Sequence, residues 1–72
     1  MDKIDRMRAF ALVAKNASFT IAALRMGRSA RLVSKYVADL ENALGVQLLN
    51  RTTRSVSLTD AGATYLALCE PL

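Results

Sequence analysis

A mainly α fold is predicted for this chain: three short helices, then a two-stranded β hairpin and the start of a fourth helix. Three observations predict it. Apolar residues recur at three- and four-residue spacing over three separate stretches, Ile4–Ala14, Phe19–Met26 and Val33–Leu44. Ser18, Gly27, Ser29 and Gly45 punctuate those stretches where helix caps and stops belong. Beyond them the apolar period falls to two, at Val56 and Leu58, behind the turn-forming run Asn50-Arg51-Thr52-Thr53-Arg54-Ser55.

The first helix is expected from about Asp2 to Lys15. Ile4, Met7, Phe10, Ala11, Val13 and Ala14 form its apolar face. Asp2 and Asp5 fall in its first turn and Lys15 in its last, the order the helix dipole prefers. Asn16-Ala17 breaks the pattern, and the Ser18 hydroxyl is a good N-cap for a second helix reaching Met26. Its buried stripe is Phe19, Ala22, Ala23 and Met26, with the two alanines small enough to let another helix cross closely. Gly27 suits a left-handed C-cap. Ser29 then caps a third helix that runs to about Ala43 or Leu44 and stops at Gly45. A gap of about three residues between the second and third helices is the tight turn of a helix-turn-helix.

Val46, Leu48 and Leu49 begin an extended segment, which with Val56 and Leu58 makes a small two-stranded hairpin. Thr59 or Asp60 caps the last helix, which carries Ala61, Tyr65, Leu66 and Leu68 and meets Pro71 just before the final residue. The whole is a winged helix-turn-helix, with a three-helix core and a two-stranded wing.

The third helix has two different sides. At about 100° per residue, Arg31, Ser34, Lys35 and Ala38 fall on one of them. Val33, Val37, Leu40 and Leu44 lie opposite, within roughly 60° of each other. One side suits a core and the other suits the groove of a duplex. Leu32 and Tyr36 flank the apolar stripe and are expected to be half-buried, with the Tyr36 hydroxyl a candidate phosphate donor.

Composition narrows the function. The 72 residues allow one small domain, and 53% hydrophobic content is enough for a compact core with some apolar surface left for a partner. Ten Lys and Arg against six Asp and Glu leave a net charge of +4, which attracts polyanions. The distribution is more telling. Arg25, Arg28, Arg31 and Lys35 follow one another with no acid between them, as do Arg51 and Arg54, while Asp2, Asp5, Asp39, Glu41, Asp60 and Glu70 lie elsewhere. That clustering points to a binding face. With no histidine and only Cys69, neither a zinc site nor a disulfide framework is expected. No cofactor is expected either. An enzyme lacks its catalytic set here: no histidine, no metal ligands, no activated thiol. The longest apolar run, Ala9–Ala14, is far below the roughly 18 residues of a membrane span. The opening Met1-Asp2-Lys3-Ile4-Asp5 is too polar for a signal peptide, so a cytoplasmic location is expected.

Several motifs stand in order along the chain. They are Ser18-Phe19-Thr20, Gly27, Ser29, Ser34, Leu40-Glu41, Leu44-Gly45-Val46-Gln47-Leu48-Leu49, Arg51 and Leu58-Thr59-Asp60-Ala61-Gly62. In these the chain resembles the N-terminal domain of LysR-type transcriptional regulators, bacterial DNA-binding proteins with a winged helix-turn-helix. The resemblance runs from the first helix into the last without insertions. It implies a domain at 1–58 that binds double-stranded DNA and, at 59–72, the start of a linker helix that pairs two subunits. It also implies a C-terminal effector domain, absent from these residues, that takes a small-molecule inducer. A homodimer would then occupy two half-sites related by a dyad. One segment departs from the family pattern. Where the family usually carries glutamine and proline at the start of the reading helix, this chain has Ala30 and Arg31, which alters the expected sequence preference rather than the fold.

Candidate contacts follow. Arg31 either bonds guanine O6 and N7 or clamps a phosphate. Lys35, one turn later, suits phosphate better. Ser34 lies at the groove-facing position and suits a base edge or a phosphate. Ser29 caps first and touches phosphate second. Ala30 faces a thymine methyl or simply packs. At the second helix, Ser18 caps and Thr20 is placed for a phosphate, with Arg28 a weaker candidate in the turn. In the wing, Arg51 suits phosphate, as do the hydroxyls of Thr52 and Thr53. Arg54 matches the family position whose arginine reaches the minor groove, where an A·T-rich narrowing concentrates negative potential. Tyr65, Leu66, Leu68 and Cys69 are candidates for a subunit interface, with Cys69 otherwise a small apolar residue.

Two rival readings remain. A winged helix that binds a protein instead of specific DNA would want an apolar or acidic outer face on the third helix, against Arg31 and Lys35. A basic membrane-surface peptide would be one long amphipathic helix, whereas the caps and glycines cut this chain into a globule.

Overall fold

The computed structural model describes residues 3–51 and 56–69. Along the chain run α1 (Lys3–Asn16), α2 (Phe19–Met26), α3 (Ala30–Leu44), β1 (Leu49–Arg51), β2 (Val56–Leu58) and α4 (Asp60–Cys69). The expected mainly α winged helix-turn-helix is the fold observed.

Each boundary has a local cause. Asn16 closes α1 by folding its side-chain amide back onto the Leu12 carbonyl at 2.7 Å. Ala17 follows with φ of 51°, a left-handed backbone that alanine rarely adopts. Ser18 then accepts from the Ile21 N–H at 3.1 Å, and Ser29 accepts from the Leu32 N–H at 3.1 Å, so both serines cap the helices that follow them. Gly27 ends α2 at φ 68° and the Arg28 N–H returns to the Ala23 carbonyl at 3.0 Å. The turn between α2 and α3 is thus Gly27–Ser29, the length the sequence predicts.

The core lies where α1, α2 and α3 meet. Ala9, Phe10, Val13, Ala22, Val33, Val37 and Leu48 are fully buried, with Leu40 and Leu49 nearly so. Small Ala22 and Ala23 let α2 approach its neighbours closely. The strands pair antiparallel in the register Leu49↔Leu58, Asn50↔Ser57 and Arg51↔Val56. Helix α4 returns over α1, where the Phe10 and Tyr65 rings tilt against each other with centroids 5.6 Å apart. Thr59 caps it: its hydroxyl accepts from the Gly62 N–H at 2.9 Å and donates to the Gln47 carbonyl at 2.6 Å.

Four expectations need correction. Tyr36 is buried in the core at 7% exposure rather than half-buried. At 100° per residue it sits only about 40° from the Leu40 edge of the stripe, and its long ring reaches inward. Ile4 and Leu44, placed on apolar stripes, are 69% and 42% exposed; both lie at helix ends that outrun the core. Val46 is exposed and outside the sheet, because β1 starts three residues later at Leu49.

Candidate nucleic-acid interface

The caps decide how the candidate face is presented. With Ser29 fixing the start of α3, its buried stripe of Val33, Val37 and Leu40 turns inward. Arg31 and Lys35 are then exposed, and Ser34 between them is half-buried. Ala30 and Ser29 are exposed at the first turn, and Arg28 is exposed in the turn before it. At the neighbouring helix Thr20 is exposed and Ser18 is half-buried beside its cap bond. The N-termini of α2 and α3 each end in a serine cap, so their remaining N–H groups and dipoles favour anions there.

The hairpin is joined to this face at its root. Arg51, the last residue of β1, lays its guanidinium 4.5 Å from the centre of the Phe19 ring and donates from Nη1 to Ser34 Oγ at 2.9 Å. One side chain therefore links β1 to the starts of α2 and the middle of α3. Nothing in the sequence pattern marks this junction, because its members lie far apart in the chain. Thr52, Thr53 and Arg54 lie outside the described residues.

Glu41 has a task that no local sequence pattern marks. Its Oε2 accepts from the backbone N–H groups of Leu48 at 2.8 Å and Leu49 at 3.1 Å. The carboxylate on α3 thus holds the chain entering β1, and so fixes where the wing stands relative to the reading helix. Gln47 reinforces the same segment by donating from Nε2 to the Leu49 carbonyl at 2.9 Å.

The proposed interface residues of α4 are placed differently from one another. Leu68 is 70% exposed, whereas Tyr65, Leu66 and Cys69 are half-buried against the body of the domain. The Tyr65 phenol is held above its ordinary range, chiefly by burial, then by its neighbour Cys69, with Arg6 pulling the other way. On the other side of Cys69, an apolar groove runs along α1 past Ile4, Met7, Arg8 and Ala11. Among the described residues there is no group of three or more His, Cys, Asp or Glu placed to hold a metal. None of the described helices is long and apolar enough to cross a membrane.

Residues 4–63 match the family of bacterial regulatory helix-turn-helix proteins known as the lysR family. This chain belongs to the LysR family. It is 49% identical over its full 72 residues to an HTH-type transcriptional repressor of Pseudomonas aeruginosa, of which it spans 23%. It is 45% identical over 69 residues, 96% of the chain, to the HTH-type transcriptional activator AaeR of Escherichia coli, of which it spans 22%. The chain therefore corresponds to under a quarter of the length of these LysR relatives. Among solved structures, the DNA-binding domain of BenM in complex with catB site 1 DNA superposes with a TM-score of 0.91 at 30% identity, covering 97% of this chain and 78% of that one. A complex of the CbnR DNA-binding domain with DNA superposes equally well, at TM-score 0.91 and 30% identity over 97% of this chain and 80% of that one. In fold and family, the chain is a LysR-type DNA-binding domain.

Proposed function

We propose that this LysR-type domain binds duplex DNA sequence-specifically as part of a transcriptional regulator, with α3 in the major groove and the hairpin at the minor groove. The observation that carries the reading is the exposed basic side of α3. Arg31 and Lys35 stand one turn apart on a helix whose opposite side buries Val33, Val37 and Leu40 in the core. Arg31 is assigned to a base edge, and Lys35, Thr20 and Arg51 to phosphates. Ser29 and Ser18 add their helix N-termini, Ser34 a hydroxyl, and Ala30 a methyl surface. Thr52 and Thr53 are assigned to phosphate and Arg54 to the minor groove, from their place in the sequence.

The protein-interaction alternative needs an apolar or acidic outer face on α3, and Arg31 and Lys35 oppose it. We further assign residues 59–72 to the start of a linker helix. Tyr65, Leu66, Leu68 and Cys69 would there meet a second copy of the chain, giving a homodimer on two dyad-related half-sites. A small-molecule inducer would act through an effector domain of the longer protein. Such a regulator works in the cytoplasm on the chromosome, and it has no catalytic task.

The test is selection of bound duplexes from a random library, followed by titration of the winners at several salt concentrations. Enrichment of a dyad-related motif with an A·T-rich flank is expected. Salt-sensitive binding without enrichment would refute sequence specificity, and absence of binding at low salt would favour the protein-interaction reading.

A further inference from the structure

Ser34 and Arg51 are joined before any DNA arrives, and the direction of their hydrogen bond has a consequence. Arginine has donors only, so at 2.9 Å from Nη1 the Ser34 oxygen is the acceptor. A hydroxyl whose oxygen already accepts from a cation keeps its own proton to give, and the cation makes that proton more acidic. In the middle of a helix such a proton commonly turns back to the carbonyl four residues earlier. Thr64 does so in α4, donating to the Asp60 carbonyl at 3.2 Å. Among the described residues, no acceptor takes the Ser34 proton.

Phe19 supplies the third part. A guanidinium stacked on an aromatic face loses freedom of tilt while keeping its edge donors in plane. The Phe19 ring, its centre 4.5 Å from the Arg51 guanidinium carbon, therefore supports the guanidinium from which Nη1 reaches Ser34. Phe19 opens α2, Ser34 lies within α3 and Arg51 ends β1, so the contact binds together the three elements that form the candidate DNA face.

We propose that Phe19 and Arg51 form a clamp that turns the Ser34 hydroxyl proton toward DNA, so that the group it meets is a hydrogen-bond acceptor. Phosphate oxygens, purine N7, guanine O6 and thymine O4 qualify; adenine N6 and cytosine N4, which donate, could meet only the remaining Oγ lone pair, beside the Arg51 cation, and are disfavoured. Phe19 is a positioning residue that acts through Arg51. This inference rests on the DNA-binding reading above.

A double-variant cycle on a duplex enriched by the selection tests it. Ser34→Ala is expected to weaken binding about tenfold, the effect of one charge-assisted hydrogen bond. In a Phe19→Leu background the same change is expected to weaken binding no more than about twofold, because the clamp is already lost. Phe19→Tyr keeps the ring and should keep the tenfold penalty. Arg51→Lys, which keeps the charge at an exposed position but lacks the planar fork, should reduce it as Phe19→Leu does.

Acceptor-deleted duplexes then identify the group. Loss of the Ser34→Ala penalty on a duplex with one methylphosphonate assigns a phosphate. Its loss on a duplex with one base analogue lacking N7 or a groove carbonyl assigns a base. Either result supports the clamp. An equal Ser34→Ala penalty with Phe19 and with Leu at that position would overturn it, as would a full penalty on every acceptor-deleted duplex. If the unaltered chain binds no duplex at low salt, the DNA-binding reading itself fails; if it binds but the variants are uncoupled, only the clamp does.

Discussion

Arg31 and Lys35 carry the same charge on the same face, yet their positions assign them different work. Arg31 is in the first turn of α3, where a planar fork meets base edges, while Lys35 is a point charge one turn along. Arg31→Ala is expected to cost about 1–3 kcal/mol of discrimination at one position of each half-site. Lys35→Ala should weaken all sequences alike and lower the salt slope by about one. Parallel titrations of matched and mismatched duplexes separate the two, and a uniform loss from both variants would remove Arg31 as a reader. Gly62 shows a single-residue constraint of another kind. A methyl there would run into the Leu48 carbonyl oxygen and lie 3.1 Å from Leu58 Cδ2. The carbonyl is already held by the Thr59 N–H at 3.0 Å and cannot retreat without losing that bond. Gly62→Ala should therefore destabilise the fold by about 3 kcal/mol, measured by urea unfolding. A loss below about 1 kcal/mol would mean that α4 shifts freely over β1.

At the scale of elements, the helices were legible because their determinants are local. A serine cap, a glycine stop and an apolar stripe all lie within one helix, and Ser29, Gly45 and Val33–Leu40 were enough to place α3. A helical wheel tells sides but not ends, which is why it places Ile4 and Leu44 on a core that does not extend to them. Contacts between distant segments have no period, and so the anchoring roles of Glu41 and Arg51 escaped the sequence. Glu41 is the stronger case. Removing its carboxylate leaves the N–H groups of two buried residues, Leu48 and Leu49, without their acceptor. Each orphaned donor costs about 1–3 kcal/mol, so Glu41→Ala should destabilise the domain by about 3 kcal/mol. Glu41→Gln keeps an acceptor oxygen and should cost about 1 kcal/mol. Hydrogen exchange at the Leu48 and Leu49 amides gives the direct readout, with faster exchange expected there in the alanine variant than in α1. Unchanged protection at both amides would show that water or another group replaces the carboxylate.

For the whole molecule, the basic face and the proposed pairing face use different elements, which makes them separable by mutation. The basic face belongs to α2, α3 and the root of the wing. The apolar surface around α1 and α4 includes Ile4 at 69% and Leu68 at 70% exposure, and neither side chain supports the core. Leu68→Glu puts a charge on that surface without opening a cavity, so its melting temperature should stay near that of the unaltered chain. Its effect should appear in assembly. Pairing on two half-sites turns the second contact into an intramolecular one, with an effective concentration that can raise affinity by about 10²-fold. Leu68→Glu is therefore expected to lower affinity for a two-half-site duplex by about that factor while leaving single half-site binding within about twofold. Sedimentation of the DNA complexes should show two chains per duplex for the unaltered protein and one for the variant. Equal losses on both duplexes would move Leu68 from the pairing surface to the support of the DNA face. An unchanged two-chain complex would mean that pairing, where it occurs, uses a surface other than this end of α4.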